Sequence, residues 1–213
     1  MRISWRGHAS FVIEAEGRTI VTDPFNEKLG YPVTPLAADI AIISHQHWDH
    51  NAVEILTGQP QVIMEPGAHK VGGITITGLN CWHDANGGRE RGLNTAYKIS
   101  AEGLEVVHLG DLGHTLDSRQ VAELGQVDVL MVPVGGRYTI DAEQAVKVVK
   151  DLQPRIAIPM HFGTPHLSFA LAPVEKFISY YDTAVKKAFL EVTPETLGND
   201  LRIILLDYLN TVA

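Results

Sequence analysis

With 213 residues, of which 45% are hydrophobic and 20% charged, the chain can bury a sizeable core and carries too little charge for wholesale disorder. Its 17 basic and 25 acidic side chains leave a net charge of −8, which argues against a surface built to neutralise many phosphates. A single cysteine excludes an intramolecular disulfide and any multi-cysteine metal site, whereas histidine, with ten copies, stands out.

The chain opens with strand signals. Phe11–Ile13 and Thr19–Val21 flank Glu16-Gly17-Arg18, which predicts a hairpin. Asp23-Pro24 breaks the second strand, and residues 26–35 read as a loop. Asp39–Ser44 is a short apolar run ending in a polar residue, as in a buried strand. Asn51 is placed to cap a short helix over Ala52–Thr57, stopped by Gly58. Further strands are expected at Gln61–Met64, Ile74–Thr77, Thr95–Ile99 and Leu104–Leu109.

In the second half, Val127–Pro133 and Arg155–Pro159 read as buried strands, with helical spacing over Asp141–Leu152 between them. A second helix is expected over Pro173–Ala188, with proline in its first turn, and a last strand over Arg202–Asp207. No repeat or linker divides the chain, so one domain over residues 1–213 is expected, with two packed sheets and helices outside. No stretch reaches the roughly 20 apolar residues of a membrane helix, and the N-terminus lacks a signal peptide's apolar segment. A soluble cytoplasmic protein is the expectation.

Chemistry concentrates at His45-Gln46-His47-Trp48-Asp49-His50, directly after the strand ending at Ser44. Residues i and i+2 of an extended segment project to one side, so His45 and His47 can grip one metal ion. Asp49 and His50 can turn toward a second ion, and imidazole with carboxylate suits zinc, iron or manganese. Three further candidates share one context, a polar residue closing an apolar strand: His83, Asp111 and His161. A carboxylate can bridge two cations, which makes Asp111 the natural bridge.

This His-x-His-x-Asp-His signature, with a distal histidine, an aspartate and a last histidine in order, resembles the metallo-β-lactamase superfamily over nearly the whole chain. The nearest branch is similar to bacterial ascorbate-6-phosphate lactonase and small metal-dependent hydrolases. Gly7-His8-Ala9-Ser10, Thr22-Asp23-Pro24, His108–His114, Pro133–Gly136 and Pro159–Phe162 carry that likeness. The resemblance implies an αββα four-layer sandwich of two mixed β-sheets with helices on the outer faces. It places His45, His47 and His83 on one metal, and Asp49, His50 and His161 on the other, with Asp111 between. Superfamily flavoproteins that reduce oxygen usually carry Glu where this chain has Gln46 and need a flavin domain, so a redox role is not expected.

Around these ligands, His8 is expected near the site mouth, and Asp23, by resemblance, as a hydrogen-bond partner that fixes a ligand histidine. His114 is a candidate proton donor. The Gly87-Gly88 loop lacks the residues of a phosphate-binding loop but can offer Arg91 or Asn94 to an anionic substrate. His69, His108 and His166 read as structural or surface residues. Cys81 reads as a small buried hydrophobe, and Trp48 as a packing residue.

Together these readings predict a dinuclear hydrolase with two divalent ions, zinc foremost and manganese or iron as alternatives. A metal-bridging hydroxide would cleave a small ester or lactone, with Asp49 and Asp111 as the catalytic carboxylates. The alternatives are a phosphodiesterase acting on a small phosphodiester and, in another class, a non-catalytic metal-binding or metabolite-sensing module. The expected partner is a small-molecule substrate. A homo-oligomer is compatible with the sequence, and neither membrane nor nucleic acid is expected to bind. Loop shapes around Tyr31, Asn86–Asn94 and Pro165–Ala170 are expected to decide the substrate.

Overall fold

Period-two burial along the first strands sets how the layers meet. In the computed structural model, which describes residues 1–208, Ile3, Trp5, Phe11, Ile13, Ile20, Ile40 and Ile42 all face one core. Val21 and Ala41, one residue out of step, face a separate small cluster on the opposite side with Ala38 and Leu56. Residues 209–213 of the expected domain lie outside the described residues.

The first strands are β1 (Arg2–Gly7), β2 (Ser10–Ala15), β3 (Arg18–Thr22), β4 (Leu36–Ala37), β5 (Ile40–Ile42), β6 (Leu56–Thr57), β7 (Gln61–Ile63) and β8 (Gly67–Val71). They are followed by β9 (Ile74–Trp82), β10 (Leu93–Ala101), β11 (Leu104–His108), β12 (Val129–Pro133), β13 (Ile156–Met160), β14 (Ala184–Lys187), β15 (Leu190–Glu191) and β16 (Arg202–Leu206). One sheet has the order β15-β1-β2-β3-β5-β7 and the other β14-β16-β13-β12-β11-β10-β9-β8, both mixed. The β2–β3 hairpin turns at Glu16-Gly17, both with positive φ, as a two-residue type I′ turn requires.

Helices α1 (Ser118–Leu124) and α2 (Ala142–Leu152) pack on the larger sheet against β9 and β12, with α3 (Glu175–Ile178) beside α2. Both longer helices start with a capping box, Asp117 with Gln120 and Asp141 with Gln144, each cap contributing about 1 kcal/mol. The mixed-sheet sandwich expected from the resemblance is thus present. The layer over the smaller sheet is thin, formed by the β4–β6 pair and a 3₁₀ turn at Val53–Ile55.

Two local expectations are corrected. Residues 52–57 form that 3₁₀ turn and a short strand: Asn51 makes no cap hydrogen bond to the turn, and Leu56 and Thr57 pair with Leu36 and Ala37 of β4. The helix expected over Pro173–Ala188 stops at Ile178. The run Ser179-Tyr180-Tyr181-Asp182-Thr183 is poor in helix formers, and Ala184–Lys187 leaves as an edge strand beside β16. Helix α1 and strand β8 lay in stretches assigned to no element. No helix among the described residues is long and apolar enough to cross a membrane.

Candidate metal centre

The site is built where strands end. Asp23 follows β3, Ser44 and His45 follow β5, His83 follows β9, Asp111 follows β11, and His161 follows β13. Packed strands hold these side chains rigidly while the connecting loops leave room for a ligand. His8 enters from the tight β1–β2 turn. His8, Asp23 and His161 all adopt positive φ (52°, 39° and 53°), and the His161 amide donates to the His8 carbonyl at 3.0 Å. Such backbone strain in non-glycine residues persists only where the surroundings enforce it.

The motif folds as its spacing suggests. His45 Nε2 and His47 Nδ1 lie 3.0 Å apart, and the His50 amide donates to the His47 carbonyl, turning the chain back. Three groups of ligand atoms converge: His45, His47 and His83; His45, His50 and Asp111; and His8, His50 and His161. Asp111 Oδ2 sits 3.1 Å from His161 Nε2 and 3.4 Å from the Nε2 atoms of both His50 and His83. Asp49 Oδ2 lies 3.4 Å from His8 Nε2 and 3.9 Å from His50 Nε2. All seven ligand candidates therefore gather at one place, with His8 beside them.

Asp23 orders the ligands from beneath. Its Oδ1 accepts the Ser44 amide at 2.7 Å, and its Oδ2 accepts both the Ser44 hydroxyl at 2.7 Å and His50 Nδ1 at 3.1 Å. Because that hydroxyl donates to Asp23, it accepts from His45 Nδ1, 2.9 Å away. One buried carboxylate thus sets the tautomer of two histidines, leaving the Nε2 lone pairs of His45 and His50 toward the centre. Sequence reasoning found Asp23 and overlooked Ser44. The polar residue closing the β5 run was its available signal.

Asp111 is fixed by Asn94. The Asn94 side chain accepts the Asp111 amide at 2.8 Å and donates to the Leu109 carbonyl at 2.9 Å. A side chain at Gly110 would collide with Asn94 Oδ1 at 2.4 Å, and its φ is +54°, so glycine is needed in this bend. Asn94 is fully buried with its amide engaged on the backbone, so it shapes the site from behind and does not meet the substrate expected from the sequence.

Electrostatics favour cation binding. Burial, with His50 next, pushes His45 down to about 2, and burial likewise lowers His83, so both stay neutral, the form that binds metal. His8 is pushed down to about 3 by burial and then by His161. Burial opposes charge on His50 too, but Asp111 and Asp23 on either side more than offset it and raise its pKa. Asp111 and Asp49 are held below the usual carboxylate range by the surrounding histidines despite burial.

The donor set fits metal ions. His50 Nε2, His83 Nδ1, Asp111 Oδ1 and both ring nitrogens of His161 are buried without a hydrogen-bond partner among the described residues. Lone pairs facing a carboxylate oxygen at 3.1–3.4 Å repel unless a cation or proton lies among them.

A cleft of about 310 Å³ opens over this cluster, lined by His47, Trp48, Asp49, His83, Arg91, Asp111, Tyr138 and Phe169. Trp48, expected to pack, is 48% exposed and forms part of the wall. Tyr138 and Phe169 were missed; only Phe169 fell in a loop expected to shape the substrate. Tyr31, from another such loop, is buried and bonded to Thr164.

His114 does not reach the cleft. Its Nδ1 donates to the Thr115 carbonyl and its Nε2 accepts the Trp82 amide, so it pins its own loop and has no proton for the site. His108 is buried and satisfied, as expected, donating from Nε2 to the Ala9 carbonyl across the sandwich. Cys81 is buried beside Gln120.

Comparison with known proteins agrees with this architecture. The beta-lactamase superfamily domain profile matches residues 2–161. A UPF0173 metal-dependent hydrolase from Archaeoglobus fulgidus is 32% identical, over 90% of this chain and 94% of its own. Another from Thermofilum pendens is 31% identical over 91% and 96%. A crystal structure from Thermotoga maritima, assigned to the Zn-dependent hydrolases of the metallo-beta-lactamase superfamily, superposes with a TM-score of 0.82. It is 39% identical over 97% of this chain and 99% of its own. Strand-end histidines, a shared aspartate and these relatives lead to one assignment: the chain belongs to the metallo-beta-lactamase superfamily, in the UPF0173 family of metal-dependent hydrolases.

Proposed function

We propose that the chain is a dinuclear hydrolase that opens a small ester or lactone, with zinc as its metal. The observation that carries this reading is Asp111 Oδ2, within 3.4 Å of the imidazoles of His50, His83 and His161, which come from three different loops. His45, His47 and His83 would hold one ion, Asp49, His50 and His161 the other, and Asp111 both. The zinc assignment of the Thermotoga maritima relative and the imidazole–carboxylate donor set support the choice of metal.

When bound, such ions lower the pKa of water from about 15.7 toward 7 and stabilise the negative charge that develops on a carbonyl oxygen. The chain supplies the rest. Asp23 and Ser44 keep the Nε2 lone pairs of His45 and His50 directed at the centre. Asp49, largely buried in the cleft wall, is placed to take the nucleophile's proton on Oδ2, 3.4 Å from His8 Nε2, and return it to the leaving alkoxide. Trp48, Tyr138 and Phe169 give the cleft of about 310 Å³ an apolar wall suited to a small substrate.

The test is metal content per chain of gently purified protein, with hydrolysis of generic lactones, esters and phosphodiesters before and after Asp111→Ala. Two ions per chain, lactone or ester turnover, and loss of several orders of magnitude in Asp111→Ala are expected. Turnover restricted to phosphodiesters would replace the ester reading, and metal binding without turnover would make the protein a sensor. Normal turnover by Asp111→Ala would overturn the scheme.

A further inference from the structure

Among the described residues, Arg91 is the one lysine or arginine that lines the cleft. It forms no ion pair and no side-chain hydrogen bond with the described residues, and its guanidinium lies over the Tyr138 ring at 4.9 Å. Contact with one ring face leaves the guanidinium N–H groups available for a carboxylate or phosphate. Its backbone is held in place by Asp84, which accepts the Arg91 amide.

Asp84, the residue after His83, is buried and gathers four backbone amides: Asn86 at 2.8 Å, Gly88 at 2.9 Å, Glu90 at 3.0 Å and Arg91 at 2.8 Å. The loop from 84 to 91 is therefore wound around one carboxylate and anchored to a metal-ligand candidate. Both carboxylates near Arg91 in sequence are engaged elsewhere, Asp84 on these amides and Glu90 on the Asn86 side-chain amide. The fold thus fixes the backbone that carries Arg91 at the cleft and leaves its guanidinium without an ion pair among the described residues.

The wall beyond Arg91 is aromatic. Phe169 packs edge-on against Tyr138, with centroids 5.8 Å apart, and against His8 at 6.0 Å, so the aromatic line runs from the mouth to the buried cluster. Trp48 adds exposed apolar surface to the same cleft. Resting on the hydrolase reading above, we propose that Arg91 recognises an anionic head group, carboxylate or phosphate, on a small ester or lactone substrate whose apolar body lies along Trp48, Tyr138 and Phe169. A neutral substrate would leave the Arg91 guanidinium unpaired, whereas Arg137, on the same Tyr138 ring at 5.0 Å, already donates to the Ala170 carbonyl.

Two measurements on metal-loaded protein test this, with wild type compared with Arg91→Gln and Arg91→Lys. The first is calorimetric binding of benzoate and phenyl phosphate against neutral benzamide. At least tenfold weaker binding of one or both anions to Arg91→Gln is expected, with part of it retained by Arg91→Lys; whichever anion responds more identifies the head group. The second is the kcat/KM ratio between a lactone bearing a carboxylate or phosphate and its neutral analogue. That ratio should fall at least tenfold in Arg91→Gln, through KM more than kcat. Equal anion binding by wild type and Arg91→Gln would overturn the role of Arg91 even if lactones are hydrolysed. Anion binding that depends on Arg91, without any hydrolysis, would overturn the hydrolase reading and leave the recognition standing.

Discussion

Oδ2 of Asp23 lies 3.1 Å from Nδ1 of His50 and takes the Ser44 hydroxyl at 2.7 Å, so one oxygen orients ligand candidates of both metal groups. An asparagine there either turns its NH2 against the Ser44 amide or, flipped, releases both His50 and the Ser44 hydroxyl. Asp23→Asn is expected to weaken metal binding about 10–100-fold while leaving the ligands in place. Competition against a graded chelator series reads this directly. Unchanged affinity would mean that the histidines are oriented without Asp23.

Gly113 stands against the backbone of His83 and Asp84. A Cβ there would lie 2.3 Å from both the Asp84 nitrogen and the His83 carbonyl carbon, neither of which can swing aside as a side chain can. Gly113→Ala should cost about 1–3 kcal/mol through overpacking and displace His83. For a domain of this size each kcal/mol lowers the unfolding temperature by roughly 2–4 °C. A variant melting with wild type and holding its full metal complement would show that the 83–84 segment yields.

Burial raises the Asp84 carboxyl, but the amides of Arg91, Asn86, Glu90 and Gly88 more than offset this and bring it from 3.8 down to about 2. A depressed carboxyl contributes stability that is complete above its ordinary pKa and is lost as pH falls through the folded value. The 84–91 loop is therefore expected to keep its protection at pH 4 and lose it toward pH 2. Hydrogen exchange of those four amides follows the loss. In Asp84→Asn they should exchange faster already at neutral pH, and exchange equal to wild type would contradict the caging.

Cys81 is buried, and burial pushes its thiol up to about 12. It should resist thiol reagents at pH 8 in the native state and react fully once the protein is unfolded, since the thiolate is the reactive form. Fast labelling of folded protein would place Cys81 at the surface. A colorimetric thiol assay with and without denaturant distinguishes the two.

Much of the site was legible because its chemistry is local. His45, His47, Asp49 and His50 are covalent near-neighbours, so their spacing limits where they can point, and the apolar runs before His83, Asp111 and His161 mark each as a strand end. Strand alternation likewise reveals which residues can face the core. The relations that pair distant segments were decided by tertiary structure. Ser44 serves His45 only because β5 lies beside β3, and Asn94 serves Asp111 only because β10 and β11 pair in one register. His114 and Arg91 looked alike in sequence, as polar residues in loops beside the motif. Backbone partners claimed one, and a caged loop presented the other to the cleft. The expected helix after Pro173 gave way for the same reason, because residues 184–187 pair with β16 as an edge strand, a contact whose partner lies outside the local pattern. Local covalent geometry determines which residue types are available to the site, and the pairing of distant strands determines which of them meet.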